Sequence, residues 1–157
     1  MKEDEVRARQ QLEEVKVILR DAKSKIRDYN LPVIPRSYYI ELKEAGAAIK
    51  EIIIELEKKP ITISTLNTRV DTARDLVLKL FSTTKEMMKT AMFGEMAIVY
   101  GNRYRTSVEG LDSNLTHAEM LFYKGEYKKS LELTINCLNR IEPGIYDKLL
   151  KFYAEER

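Results

Sequence analysis

Residues 64–105 read STLNTRVDTARDLVLKLFSTTKEMMKTAMFGEMAIVYGNRYR, and they decide the fold class. Leu66, Val70, Ala73, Val77, Leu80, Thr84, Met87, Ala91, Gly94, Ile98, Gly101, Arg105 and Val108 follow one another in alternating steps of four and three. That spacing lays one stripe along a helix, and no proline interrupts it. The stretch is read as one continuous helix over residues 64–109 with Ser64 as its N-cap. A helix of about 45 residues at 1.5 Å each is far longer than the segments before it, so one three-helix bundle cannot cover it.

Upstream, Ala8, Leu12, Val15, Leu19, Ala22, Ile26 and Tyr29 repeat the same spacing and predict a helix over about 3–29. Pro32 and Pro35 in LPVIP stop it, because each removes a backbone donor and biases the preceding residue away from helix. Ser37 is the expected cap of a second helix, about 37–59, striped by Tyr38, Leu42, Ala45, Ile49, Ile52 and Leu56. Lys58 and Lys59 complement its dipole and Pro60 closes it. Downstream, helices are expected near 111–124 and 126–142, followed by a tail after Pro143-Gly144. The fold expected is all-α: antiparallel three-helix, spectrin-like bundles that share the long helix, with domains at 1–92 and 93–157.

Composition narrows the function classes. The 157 residues carry 27 Lys+Arg against 25 Asp+Glu, a net charge of +2 with the signs interspersed, which disfavours phosphate-backbone binding and hence a nucleic-acid partner. One cysteine, Cys137, and one histidine, His117, cannot assemble a structural zinc site or an internal disulfide. No run approaches the roughly 18 apolar residues of a membrane span, so no direct membrane insertion is expected. Neither a Gly-rich phosphate loop nor a convergent set of titratable groups is present, so no cofactor, metal or catalytic residue is expected and the chain is read as a non-enzyme.

One further motif, HAEMLFYKGEYKKSLELTINCLNRIEP, sets Gly125, Tyr127, Ser130, Leu131, Cys137 and Leu138 at tetratricopeptide spacing. A single unit of that kind cannot bury its own face, so a helical hairpin is the plainer reading, and a peptide-binding module is the alternative. The methionines Met87, Met88, Met92 and Met96 suit irregular packing.

YGNRYR, Tyr100–Arg105, is the stretch that asks for a reason. A helical glycine costs about 1 kcal/mol relative to alanine, and two guanidiniums need partners. At 100° per residue, Gly101 and Arg105 fall near the buried stripe, Asn102 and Arg103 share a face with Val99 and Thr106, and Tyr100 and Tyr104 line the other side. Two readings stand at this point. In one, Gly94 and Gly101 admit neighbouring helices while the arginines cap helix ends or pair with acids such as Glu109 and Asp112. In the other, Val99, Asn102, Arg103, Thr106, Tyr100 and Tyr104 form a partner-binding patch, since Arg and Tyr are enriched at interface hot spots.

YGNRYR in a long helix, LP..P.SY before the second helix, KKPI after it, and AEMLF…GEYKKSLEL…IEPG downstream together resemble the C-terminal cytoplasmic region of the EzrA septation ring formation regulators of low-GC Gram-positive bacteria. The resemblance runs from about Leu31 to Gly144. It implies a parent protein with an N-terminal membrane anchor and a cytoplasmic rod of spectrin-like repeats, located at the membrane and the division septum. It also implies action on the tubulin-like protein FtsZ and contact with other division proteins. The family's Gln-Asn-Arg patch, associated with septal recruitment, is matched by Asn102 and Arg103, with Val99 standing where glutamine is expected.

Overall fold

The structure is a computed structural model that describes residues 2–155. Six α-helices and one short 3-10 turn account for its regular structure, and no strand occurs among the described residues. The helices are α1 (Lys2–Asp28), α2 (Arg36–Glu57), α3 (Ile63–Gly101), α4 (Leu111–Tyr123), α5 (Tyr127–Ile141) and α6 (Ile145–Glu155). The chain divides into two compact units, Met1–Asn30 with Arg36–Lys85, and Leu31–Pro35 with Glu86–Arg157. The division thus falls at 85/86 rather than at 92/93, and the LPVIP segment groups with the second unit.

In the first unit the heptad spacing becomes a packed seam. Ala8, Leu12, Val15, Ala22 and Ile26 of α1 are buried, as are Tyr38, Ala45, Ile49, Ile52 and Leu56 of α2 and Leu66, Val70, Ala73, Val77, Leu80 and Thr84 of α3. Pairings outside the seam set the register. Glu41 accepts a hydrogen bond from Thr83 (2.6 Å), and Glu51 lies 3.9 Å from Arg69. The α2 numbers rise as the α3 numbers fall, so the two helices are antiparallel. The Lys25 ammonium of α1 lies over the Phe81 ring, 5.6 Å from its centroid. α2 begins at Arg36 and α3 at Ile63, so Ser37 and Ser64 lie inside the first turns instead of capping them. At α3 the Thr62 carbonyl accepts the Leu66 N–H (3.0 Å).

In the second unit, α3 continues unbroken to Gly101. The 64–109 helix expected from the stripe therefore stops eight residues early. Asn102–Tyr104 tighten into a 3-10 turn, the Tyr104 carbonyl accepts both Ser107 and Val108 N–H, and Gly110, at φ 81°, reverses the chain into α4. The stripe persists past the end of the helix because Arg105 and Val108, although beyond its last residue, are still half-buried.

α4 and α5 form the hairpin foreseen from the tetratricopeptide spacing. Gly125, at φ 86°, ends α4 in a Schellman arrangement: Glu126 N–H donates to the Leu121 carbonyl (2.9 Å) and Gly125 N–H to the Phe122 carbonyl (3.0 Å). The buried Ser130 hydroxyl donates to the Ala118 carbonyl (2.7 Å) and so closes the helices on each other. The face that would be the groove of a repeat array is filled by α3, since Gly94 sits against Leu131 and Gly101 against Leu138 and Leu115. Val33 of LPVIP packs on the hairpin tip: its N–H donates to the Tyr127 hydroxyl (3.3 Å), which donates in turn to the Val33 carbonyl.

The segment after Pro143-Gly144, expected as a tail, is the helix α6. Ile145, Leu149 and Tyr153 recur every fourth residue and bury against Phe93, Ala97, Tyr100 and Leu138. Tyr100 meets Lys148 while Phe93 meets Tyr153, so α6 runs antiparallel to α3 and adds a fourth helix to this unit.

Two outcomes test this packing. Ile52→Ala and Leu80→Ala each remove a side chain with no exposed surface and are expected to cost about 2–5 kcal/mol, measured by denaturant unfolding. Thr84 is buried and its hydroxyl has no hydrogen-bond partner, so Thr84→Val is expected to raise the unfolding midpoint, a buried unpaired polar group costing about 1–3 kcal/mol.

Candidate functional site

The YGNRYR stretch ends α3 and begins the turn into α4, and its side chains divide into a packed set and an exposed set. Gly101 is packed because a β-carbon placed there would meet Leu138 Cδ2 at 3.2 Å and Leu115 Cδ1 at 3.3 Å. Glycine accordingly lets α3 approach α4 and α5 closely, and this contact offsets its cost within a helix.

Tyr100, expected on an exposed patch, is instead buried at 7% exposure. Its hydroxyl donates to Glu142 Oε2 (2.6 Å), and the half-buried Tyr104 hydroxyl donates to the same oxygen (3.1 Å). Lys148 Nζ donates to Glu142 Oε1 (2.7 Å) and to the Tyr100 hydroxyl (2.9 Å). The end of α3, the end of α5 and the first turns of α6 are thereby tied to one carboxylate. The Lys148 ammonium, and after it the two tyrosine hydroxyls, hold the Glu142 carboxyl down at about 2. Reciprocally, Glu142 pushes the Lys148 ammonium and the Tyr104 phenol upward.

Arg105 performs the equivalent task on α4. Its Nε donates to Asp112 Oδ1 (2.5 Å), Nη1 to Glu119 Oε1 (2.6 Å) and Asn102 Oδ1 (3.1 Å), and Nη2 to Thr116 Oγ1 (2.8 Å). Asp112 and then Glu119 push the guanidinium further up from its ordinary value. The pairing with Asp112 matches the expectation from sequence; Glu119 and Thr116 take the place given to Glu109. Four residues of the motif, Tyr100, Gly101, Tyr104 and Arg105, are thus engaged within the unit.

The exposed set is Val99, Asn102, Arg103 and Thr106. Val99 is 64% exposed. Asn102 offers its carbonyl oxygen to Arg105. Arg103 stacks on Tyr100, its Cζ 3.8 Å from the ring centroid. Because the helix ends at Gly101, the shared face inferred from 100° steps does not extend as a helical face to Asn102, Arg103 and Thr106.

The remaining sequence candidates are placed simply. His117 is exposed on α4, and Cys137 is half-buried on α5, where burial pushes its thiol up and away from the thiolate. No cluster of metal-ligating side chains occurs among the described residues. No described helix is long and apolar enough to cross a membrane. Sequence reasoning missed Glu142 and Lys148 as the partners of the tyrosines, although Glu142 was visible as the last acid before Pro143 and Lys148 one turn into a helix spaced by Ile145, Leu149 and Tyr153.

The family model described as "Septation ring formation regulator, EzrA" matches residues 1–153. The chain belongs to the EzrA family. Among curated EzrA relatives, the "Septation ring formation regulator EzrA" of Geobacillus sp. (strain WCH70) is 31% identical over 150 residues, 96% of this chain and 26% of the relative. That of Bacillus pumilus (strain SAFR-032) is 29% identical over 156 residues, 99% of this chain and 28% of the relative. The EzrA of Listeria monocytogenes serotype 4a (strain HCC23) is also 29% identical, over 157 residues, with 99% and 28% covered. The chain spans about a quarter of the length of the EzrA relatives it matches. No solved structure matches it.

The Glu142 hub carries a pH dependence of known sign. Its folded-state carboxyl titrates at about 2 against an ordinary 4.5, so the carboxylate contributes stability that is complete above 4.5 and is lost as pH falls toward 2. Glu142→Gln is expected to lower the unfolding midpoint at neutral pH and to flatten its fall between those two values, read from thermal melts across the acid range.

Proposed function

We propose that this chain is a non-enzymatic binding module of a septation ring regulator, acting on FtsZ ring assembly and recruited to the division septum through Val99, Asn102, Arg103 and Thr106. The observation that carries the reading is the division of labour in YGNRYR. Its other four residues are engaged inside the unit, whereas Asn102 and Arg103 are exposed beside an exposed valine. Side chains spent on packing leave little freedom for recognition, and an exposed arginine beside apolar surface has the composition of an interface hot spot. Membership of the EzrA family supports division proteins as the partners, with FtsZ first among them, and supports a parent protein anchored at the cytoplasmic side of the membrane. The scaffold's part is to hold the patch on a helix end that three other helices brace. The peptide-binding alternative has less support, because α3 fills the inner face of the α4–α5 hairpin.

Co-sedimentation of the chain with polymerised FtsZ tests the proposal. The wild type is expected in the pellet, and Asn102→Ala with Arg103→Glu is expected to reduce it sharply while shifting stability by no more than about 0.5 kcal/mol, as exposed substitutions do. Loss of binding only in proportion to loss of folding would make these residues structural and overturn the reading.

A further inference from the structure

The exposed half of YGNRYR is held by its buried half. Tyr100 cannot turn freely, since its ring is buried and its hydroxyl both donates to Glu142 and accepts from Lys148. Arg103 lies on that ring with its guanidinium carbon 3.8 Å from the centroid, and the Lys148 ammonium stands 5.3 Å from the same centroid. Stacking of this kind covers the face of a guanidinium and leaves its in-plane N–H groups available.

Neighbouring cations are satisfied differently. Arg105 has Asp112 and Glu119, and Lys148 has Glu142. Arg103 has no carboxylate partner among the described residues. Exposed Asn102 adds a donor of its own: its carbonyl oxygen accepts from Arg105 Nη1, and its amide N–H2 is a donor group. Two consecutive exposed residues therefore present side-chain donors, while the one side-chain acceptor between them, Asn102 Oδ1, already accepts from Arg105. The natural complement of such an edge is an acceptor carrying negative charge, and the planar fork of arginine matches a carboxylate in two parallel hydrogen bonds. The interspersed charges of a chain of net charge +2 give no concentrated basic surface to hold a nucleic-acid backbone.

We propose that Tyr100 is the positioning residue of this patch, and that Asn102 and Arg103, so held, take a side-chain carboxylate from an acidic segment of a partner protein. The inference rests on the docking reading of those two residues and adds the partner's chemistry and the residue that prepares the site. Ordering a long side chain before the encounter removes a cost that binding would otherwise carry, which corresponds to about two- to tenfold in affinity. It also couples the patch to α6, because Lys148 and Glu142 fix the ring on which the arginine rests.

The test is a titration of the isotope-labelled full chain with a hexaglutamate peptide at low salt, following the side-chain N–H resonances of Arg103, Asn102 and Arg105. In the unbound protein the Arg103 Nε–H signal is expected upfield from the ring current of Tyr100, and glutamate peptide should shift Arg103 and Asn102 but not Arg105. Tyr100→Phe keeps the ring and its volume but removes both tethers, and is expected to weaken the peptide by about two- to tenfold. Arg103→Ala should abolish the response, and Tyr100→Phe added to Arg103→Ala should change nothing further. Lys148→Met, on the exposed side of the same tether, serves as a second variant if Tyr100→Phe lowers the unfolding midpoint, and should weaken the peptide likewise. An unshifted Arg103 signal, wild-type affinity in both tether variants, or a stronger response to a polyphosphate than to the peptide would overturn the proposal. A wild type that fails to pellet with FtsZ yet responds to the peptide at Arg103 would refute the FtsZ reading and leave this inference supported.

Discussion

A single carboxylate, Glu142, ties together the helix ends of the second unit. It receives one phenolic hydroxyl from the end of α3, a second from the 3-10 turn that follows, and an ammonium from α6, and it stands at the end of α5 itself. Helix ends are where a bundle is weakest, because the last carbonyls lack internal partners and the chain must leave along a new direction. Converging three ends on one charge-assisted network limits the geometries available to all of them. A carboxyl held near 2 remains charged at any physiological pH, so the arrangement is a permanent tie.

That tie explains why a glycine belongs in YGNRYR. The hub draws the end of α3 toward α5 and α6, and Arg105 draws the turn that follows toward α4 through Asp112, Thr116 and Glu119. Between these two anchors the backbone lies so close to Leu115 and Leu138 that a side chain would crowd both. The motif is therefore a packing device first. Its recognition role, where proposed, uses the two residues that the packing leaves over, and it uses them in an orientation that the packing sets through the Arg103–Tyr100 stack.

The same economy appears at the hairpin tip. Gly125 ends α4 in a left-handed conformation and also leaves space for Val33, while Tyr127 bonds both backbone groups of that valine. Tetratricopeptide-like spacing in this chain thus produces a helical hairpin whose inner surface serves the interior of a bundle. Small residues at crossing points are what the two architectures share, and the presence of α3 on the inner face is what separates them here.

Periodicity alone determined the helical class and nearly all of the buried seam: every heptad position of α3 from Leu66 to Gly101 is buried except the half-buried Met87. Prolines and glycines set the ends of α1, α2 and α4 to within a residue or two, since those residues act through local backbone sterics. The end of α3 was not legible, because Arg105 and Val108 keep the apolar spacing after the helix stops and the reasons for stopping lie on α4. Nor was α6 recognised, although Ile145, Leu149 and Tyr153 were there to be read, for a short helix of this length is stable only against the core that buries it. Local sequence could name Asn102 and Arg103 as exposed. Which tyrosine is buried, which acid it meets and what holds Arg103 in place were decided by residues some 40 positions away, and only the folded chain brings them together.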